Sequence, residues 1–135
     1  MSIKRFEDIR SWQKARELTK SIYDITKTPD FAKDFRLRDQ IRAASGSIMA
    51  NIAEGYDSRS NAEFIRFLGY ARRSASEVQS HLYIALDEGY VTTEQFQSIY
   101  QLTEETKGLI GGFLQYLLKH QSVKDRQPPT NNREL

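Results

Sequence analysis

The chain of 135 residues carries 20 Lys and Arg against 18 Asp and Glu, a formal charge of +2, with 39% hydrophobic and 28% charged residues and no Cys. That length suits one domain with its own core, and the lack of Cys excludes disulfides, thiolate metal sites and a cysteine nucleophile. The longest apolar run, Leu109 to Leu118, is about half of what a bilayer span needs, and the first ten residues lack the apolar segment of a signal peptide, so the expected location is the cytoplasm, away from membranes.

Ile9, Trp12, Ala15, Leu18, Ile22 and Ile25 recur every three or four positions, which predicts a first helix from about Glu7 to Lys27, stopped by Thr28-Pro29. A second stripe, Leu37, Ile41, Ala44, Ile48 and Ile52, carries a helix to about Glu54, with Gly55 placed as a left-handed cap. In it Ala43, Gly46, Ser47 and Ala50 form a small-residue face that allows another backbone close approach. Ser60 and Glu63 have the spacing of a capping box, in which each side chain bonds the other residue's amide. Phe64, Phe67, Leu68, Ala71, Val78, Leu82 and Ala85 then mark a third helix ending near Glu88 before Gly89. A fourth begins at Thr92 or Thr93, where Gln95 completes a second box. Its stripe runs from Phe96 through Ile99, Thr103, Thr106, Ile110 and Phe113 to Leu117, and it ends near His120.

No segment alternates with period two. The reading is all-α: an antiparallel up-and-down four-helix bundle over residues 1–120 and a disordered polar tail over 121–135, since short connections make sequential helices neighbours. The fourth helix is apolar nearly all round between Leu109 and Leu118. A bundle helix needs only one apolar stripe, so the surplus implies self-association.

Catalytic patterns are absent. There is no Gly-x-Ser-x-Gly elbow and no phosphate-binding Gly-rich loop, and only His81 and His120 could serve a metal. Glu77 and His81 share a helix face, but a bundle di-metal centre needs two such pairs. The expectation is therefore a non-enzyme with no cofactor, no metal and no small-molecule substrate.

The basic residues are more informative. Arg59, Arg66 and Arg73 fall seven apart with Arg72 adjacent, Arg38 and Arg42 are one turn apart, and Arg10 with Lys14 and Arg16 with Lys20 repeat that spacing. Residues 1–28 hold seven Lys or Arg against four Asp or Glu. Such ridges can follow phosphates without reading sequence; the plainer alternative is a solvated face with intrahelical pairs such as Lys20 with Asp24. Tyr56, Tyr70 and Tyr83 could stack on bases or simply pack at helix rims. Asn51, Glu54 and Arg66 could meet as a polar cluster at the corner between the second and third helices.

The segments "FEDIRSWQKARELTKSIYDIT", "LRDQIRAASGSIMANIAEG", "EFIRFLGYARRSASEV" and "ALDEGYVT" resemble the family encoded in intervening sequences of bacterial 23S ribosomal RNA genes, over about residues 5–118. The resemblance implies an up-and-down bundle assembled as a homopentameric ring, with no known catalysis. By analogy of fold with accessory proteins of diversity-generating retroelements, it also suggests a role with nucleic acid. Where the family usually has Pro-Ser, this chain has Met49-Ala50, so a Pro kink in the second helix is not expected. Two functions follow: a ring that binds structured RNA or DNA through Arg38, Arg42, Arg59, Arg66, Arg72 and Arg73, or a protein-interaction scaffold whose charges only keep it soluble.

Overall fold

The computed structural model describes residues 2–124, of which 121–124 are described by their backbone alone. After a 3-10 turn at Phe6–Asp8 come α1 (Arg10–Ile25), α2 (Pro29–Lys33), α3 (Phe35–Asp57), α4 (Asn61–Asp87) and α5 (Thr93–Lys124), with no strand among the described residues.

The predicted first helix is divided. Ile9 is extended (φ −77°, ψ 123°) and almost wholly buried, so the chain bends there to drive this side chain into the core, and α1 starts one residue later. Pro29 does more than stop a helix. Its fixed φ and missing N–H suit a first turn, and it opens α2, which buries Phe31 against the Tyr90 ring at 5.2 Å.

Gly55 is not a left-handed cap. It lies inside α3, and Gly89 (φ 74°) is the only positive-φ residue described. A Cβ at Gly55 would stand 2.8 Å from both Phe64 Cδ1 and Phe67 Cβ, so glycine is needed there to let α3 and α4 meet. The helix passes Met49-Ala50 without interruption. At the next cap Ser60 Oγ accepts the Glu63 amide at 3.2 Å, but Glu63 turns to Arg66 at 3.8 Å instead of closing the box. The second box is complete: Thr92 Oγ1 accepts the Gln95 amide at 3.0 Å, and Gln95 Oε1 accepts the Thr92 amide at 2.9 Å. Gly89 ends α4 as expected, whereas α5 runs four residues beyond His120, and the remainder of the predicted tail, 125–135, lies outside the described residues.

Side-chain bonds fix the helix directions. Thr19 Oγ1 donates to Ser45 O, Arg42 reaches Thr26 and Tyr56 donates to Ile3 O, so α3 runs back along α1. Ser74 meets Ser47 across α3 and α4, Gln79 meets Glu104 across α4 and α5, and Lys14 approaches Glu105 at 3.8 Å across α1 and α5. Each long helix thus has two antiparallel neighbours, and the last closes on the first. Leu18, Ile22, Ile41, Ile48, Ile52, Phe64, Leu68, Leu82, Ile110 and Leu117 fill the centre. Each is worth about 1.5–3 kcal/mol relative to exposure.

Most of the apolar surplus on α5 is taken up within the chain. Phe113 and Leu114 pack against the core, and Leu109 with Phe113 faces Ile3 and Ile9, leaving Tyr116 and Leu118 exposed. On α3 the small-residue face does not receive another helix of this chain. Ala43 and Ala50 face outward, a methyl group added at Gly46 would meet nothing within 4 Å, and only Ser47 is engaged, with Ser74.

Candidate nucleic-acid interface

The six candidate arginines occupy three different settings. Arg38 and Arg42 lie one turn apart on α3, Arg38 beside α2 and Arg42 where α3 meets the end of α1. The Arg38 guanidinium stands 5.0 Å over the Phe35 ring, bonds Asp39 Oδ1 at 2.9 Å and donates to Ala32 O at 3.1 Å. Arg42 stands 4.6 Å over Tyr23 and donates from Nε to Thr26 Oγ1 at 2.7 Å. The Thr26 hydroxyl in turn donates to Ile22 O, so a buried side chain holds the guanidinium in place. Phe35 is 66% exposed and Tyr23 40% exposed, which leaves ring surface open beside both cations.

Arg66 and Arg73 share the outer face of α4. They lie 6.0 Å over Phe67 and 5.8 Å over Tyr70, and those two rings meet edge to face at 5.8 Å. The result is a row in which two touching rings are flanked by a guanidinium at each end. Arg72 is not part of it. One residue along an α-helix turns the side chain by about 100°, and Arg72 points toward α5, where Nη1 is 3.9 Å from the position a Gly111 Cβ would take. Arg59 is not on a helix at all: it sits between the end of α3 and the Ser60 cap, exposed.

On α1, Arg16 stands 6.0 Å over Trp12, while Lys14 and Lys20 are engaged with Glu17 and Asp24. The Lys20 to Asp24 contact of 2.6 Å is the intrahelical pair that the spacing predicts, and its hydrogen bond draws the Asp24 carboxyl below the ordinary value. Arg–ring pairs at 4.6–6.0 Å are within cation–π range.

The profile of the 23S rRNA-intervening sequence protein family matches residues 7–112. The chain belongs to that family. A crystal structure of a protein of unknown function from the S23 ribosomal protein family of Bacteroides thetaiotaomicron VPI-5482 is similar, with a TM-score of 0.71 and 29% identity over 77% of this chain and 97% of that one. No curated protein matches it.

Within this family member, the predicted corner cluster is dispersed. Asn51 Nδ2 donates to Ser47 O at 2.8 Å and Ser47 Oγ at 3.0 Å, Arg66 turns to Glu63, and no contact joins Glu54 to either among the described residues. Tyr56 is a packing residue, its hydroxyl on Ile3 O at 3.2 Å and its ring against Phe64. Tyr83 is half exposed but packs at a steep angle against Phe96 and Tyr100 at the far end of α4. Glu77 and His81 stand 3.3 Å apart, and no group of three or more metal-binding side chains occurs among the described residues. The α1 to α3 edge, with Tyr23 and Phe35, went unnoticed in the sequence because its members are far apart along the chain. The signal available was Tyr23 and Phe35 interrupting otherwise polar faces.

Proposed function

We infer that this family member is a non-catalytic, nucleic-acid-binding bundle that assembles with itself as a ring, most simply the pentamer the resemblance implies, in the cytoplasm. Structured RNA or DNA is held at the α1 to α3 edge and the α4 row, where arginines lie over partly exposed rings. The carrying observation is that Arg38, Arg42, Arg66 and Arg73 each lie over an aromatic ring, and Arg16 does the same over Trp12. A guanidinium resting on a ring has less conformational freedom to lose when a phosphate arrives, and an adjacent open ring offers a stacking face to an unpaired base. A net charge of +2 is small for one chain, but ring symmetry repeats each edge and sums the field. The matched family's name points to ribosomal RNA genes and adds only context.

Size exclusion with light scattering, on the full chain with and without hairpin RNA and duplex DNA, tests this at low and near-physiological salt. Binding by an assembled protein that weakens steeply as salt rises supports the reading, because phosphate contacts release counterions. An assembly that ignores nucleic acid at both salts favours the protein scaffold, and a monomer removes the ring.

A further inference from the structure

The start of α3 sets an aromatic ring in the open. Phe35 is its first residue, and at 66% exposure it is the most exposed of the large apolar side chains described. It takes no part in the core and meets no other ring among the described residues, whereas Phe67 and Tyr70 cover each other and Tyr83 packs against Phe96 and Tyr100. A lone exposed ring is ordinary on a protein surface. What sets this one apart is the charge fixed beside it.

The Arg38 guanidinium stands 5.0 Å over the ring and is tied down twice, by Nε to Asp39 Oδ1 at 2.9 Å and by Nη1 to Ala32 O at 3.1 Å. A guanidinium has N–H donors beyond those two, and they are left to meet an anion. One turn further on, Arg42 is held on Thr26, and residues four apart on a helix set their Cβ atoms about 5–6 Å from each other. Cations at that spacing can follow neighbouring phosphates of one strand. Two nearby acids are already engaged, Asp39 by Arg38 and Asp34 by the Leu37 amide and the Tyr90 hydroxyl. Between Pro29 and Arg42 this leaves Asp30 as the one unpaired carboxylate among the described residues, with Lys33 and Arg36 as exposed, unpaired cations.

We propose that Phe35 is a stacking platform for one unpaired nucleobase, with the phosphates flanking that base on Arg36 and Arg38, so that this corner selects an unpaired nucleotide over continuous duplex. This rests on the nucleic-acid-binding function proposed above and names the form of nucleic acid that the α2 to α3 corner takes. A phenyl ring has no donor or acceptor, so it reads no base edge and holds no phosphate; it offers only its face. Inside a duplex both faces of a base are covered by its neighbours, and the base must leave the stack, at a cost, to reach another ring. A base in a bulge, loop or single strand meets no such cost. Stacking tolerates every base and is strongest for the larger purines.

The test is fluorescence anisotropy on the full chain at low salt, with a blunt RNA duplex, the same duplex carrying one unpaired adenosine, and the DNA counterparts of both. The bulged form should bind about tenfold more tightly than the continuous one in RNA, DNA or both, and 2-aminopurine at the unpaired position should change its emission on binding. Phe35→Ala should abolish that preference whatever it does to either affinity, and Phe35→Trp, which keeps a platform, should restore it. Equal affinity for bulged and continuous duplex, or a preference that survives Phe35→Ala, overturns the proposal and leaves nucleic-acid binding itself standing. Failure of the native chain to bind any of these ligands removes both. Loss of assembled mass in Phe35→Ala, read by light scattering, also overturns it, because the ring would then lie against a second copy.

Discussion

The Tyr90 hydroxyl donates to Asp34 Oδ2 at 3.0 Å while the other oxygen of the same carboxylate accepts the Leu37 amide at 3.1 Å. One side chain therefore caps α3 and anchors the turn that follows α4. Burial and the Asp34 charge add to the hydrogen bond in raising the Tyr90 phenol above its ordinary value of 10.0. The folded chain holds that proton more tightly than the unfolded chain. This contribution is then complete below about pH 10 and is lost as pH rises through the folded value. Urea unfolding of the native chain and Tyr90→Phe should show a lower midpoint for the variant at neutral pH. The gap should narrow in alkali; a gap constant with pH would dissociate the phenol from the effect.

Two glycines on α3 should respond in opposite ways. Gly55→Ala drives a methyl into Phe64 and Phe67 and should cost about 1–3 kcal/mol despite alanine's better helix propensity. Gly46→Ala meets nothing and should stabilise the isolated protomer by up to about 1 kcal/mol. Denaturant titrations at low protein concentration read both. If Gly46→Ala lowers the assembled mass while stabilising the protomer, another copy lies against that face.

Asn51, Ser47 and Ser74 form a chain of hydrogen bonds that joins α3 to α4, half buried. Because Asn51 bonds within its own helix, Asn51→Ala should cost only about 1 kcal/mol and leave the fold intact. Ser74→Ala, which breaks the link between helices, should match it. Circular dichroism melts of the two variants are the check, and outright unfolding by Asn51→Ala would require partners that α3 does not provide.

Arg42 gives the sharpest test of the interface. Arg42→Gln should flatten the log–log salt dependence of duplex binding by about 0.9 if that guanidinium meets one phosphate. Arg42→Lys should recover the charge but not the guanidinium's contact with the Tyr23 ring and its Nε bond to Thr26. Arg72→Gln, directed toward α5, should leave the slope unchanged. Fluorescence anisotropy over a salt series separates the three.

The periodic apolar stripes made four of the five helices legible, because burial of Ile22, Ile41, Leu68 and Ile110 on single faces is the same constraint read from either side. Local chemistry was legible at Thr92 and Gln95, which need only each other. What escaped depended on a second helix. Gly55 reads as a cap until Phe64 and Phe67 are known to lie against it, and Ile9 reads as one more stripe residue until its burial bends the chain. The arginine spacing suggested one ridge, yet only Arg66 and Arg73 keep it. Arg59 belongs to the loop, and Arg42 finds Tyr23 on another element.

Because α5 closes on α1, the beginning of α1 and the later turns of α5 lie at one end of the bundle, with Leu109 and Phe113 beside Ile9. The order of the helices along the chain is then separable from their arrangement in space. A short linker joining these neighbouring ends, with a new break at the exposed Gly89 turn, would give a permuted chain that begins with α5 and ends with α4. Every helix pair would survive the cut. Such a permutant would carry its free ends at the opposite pole, beside Tyr90 and its bond to Asp34, which makes it a means of attaching labels or partners away from the Arg66 and Arg73 row.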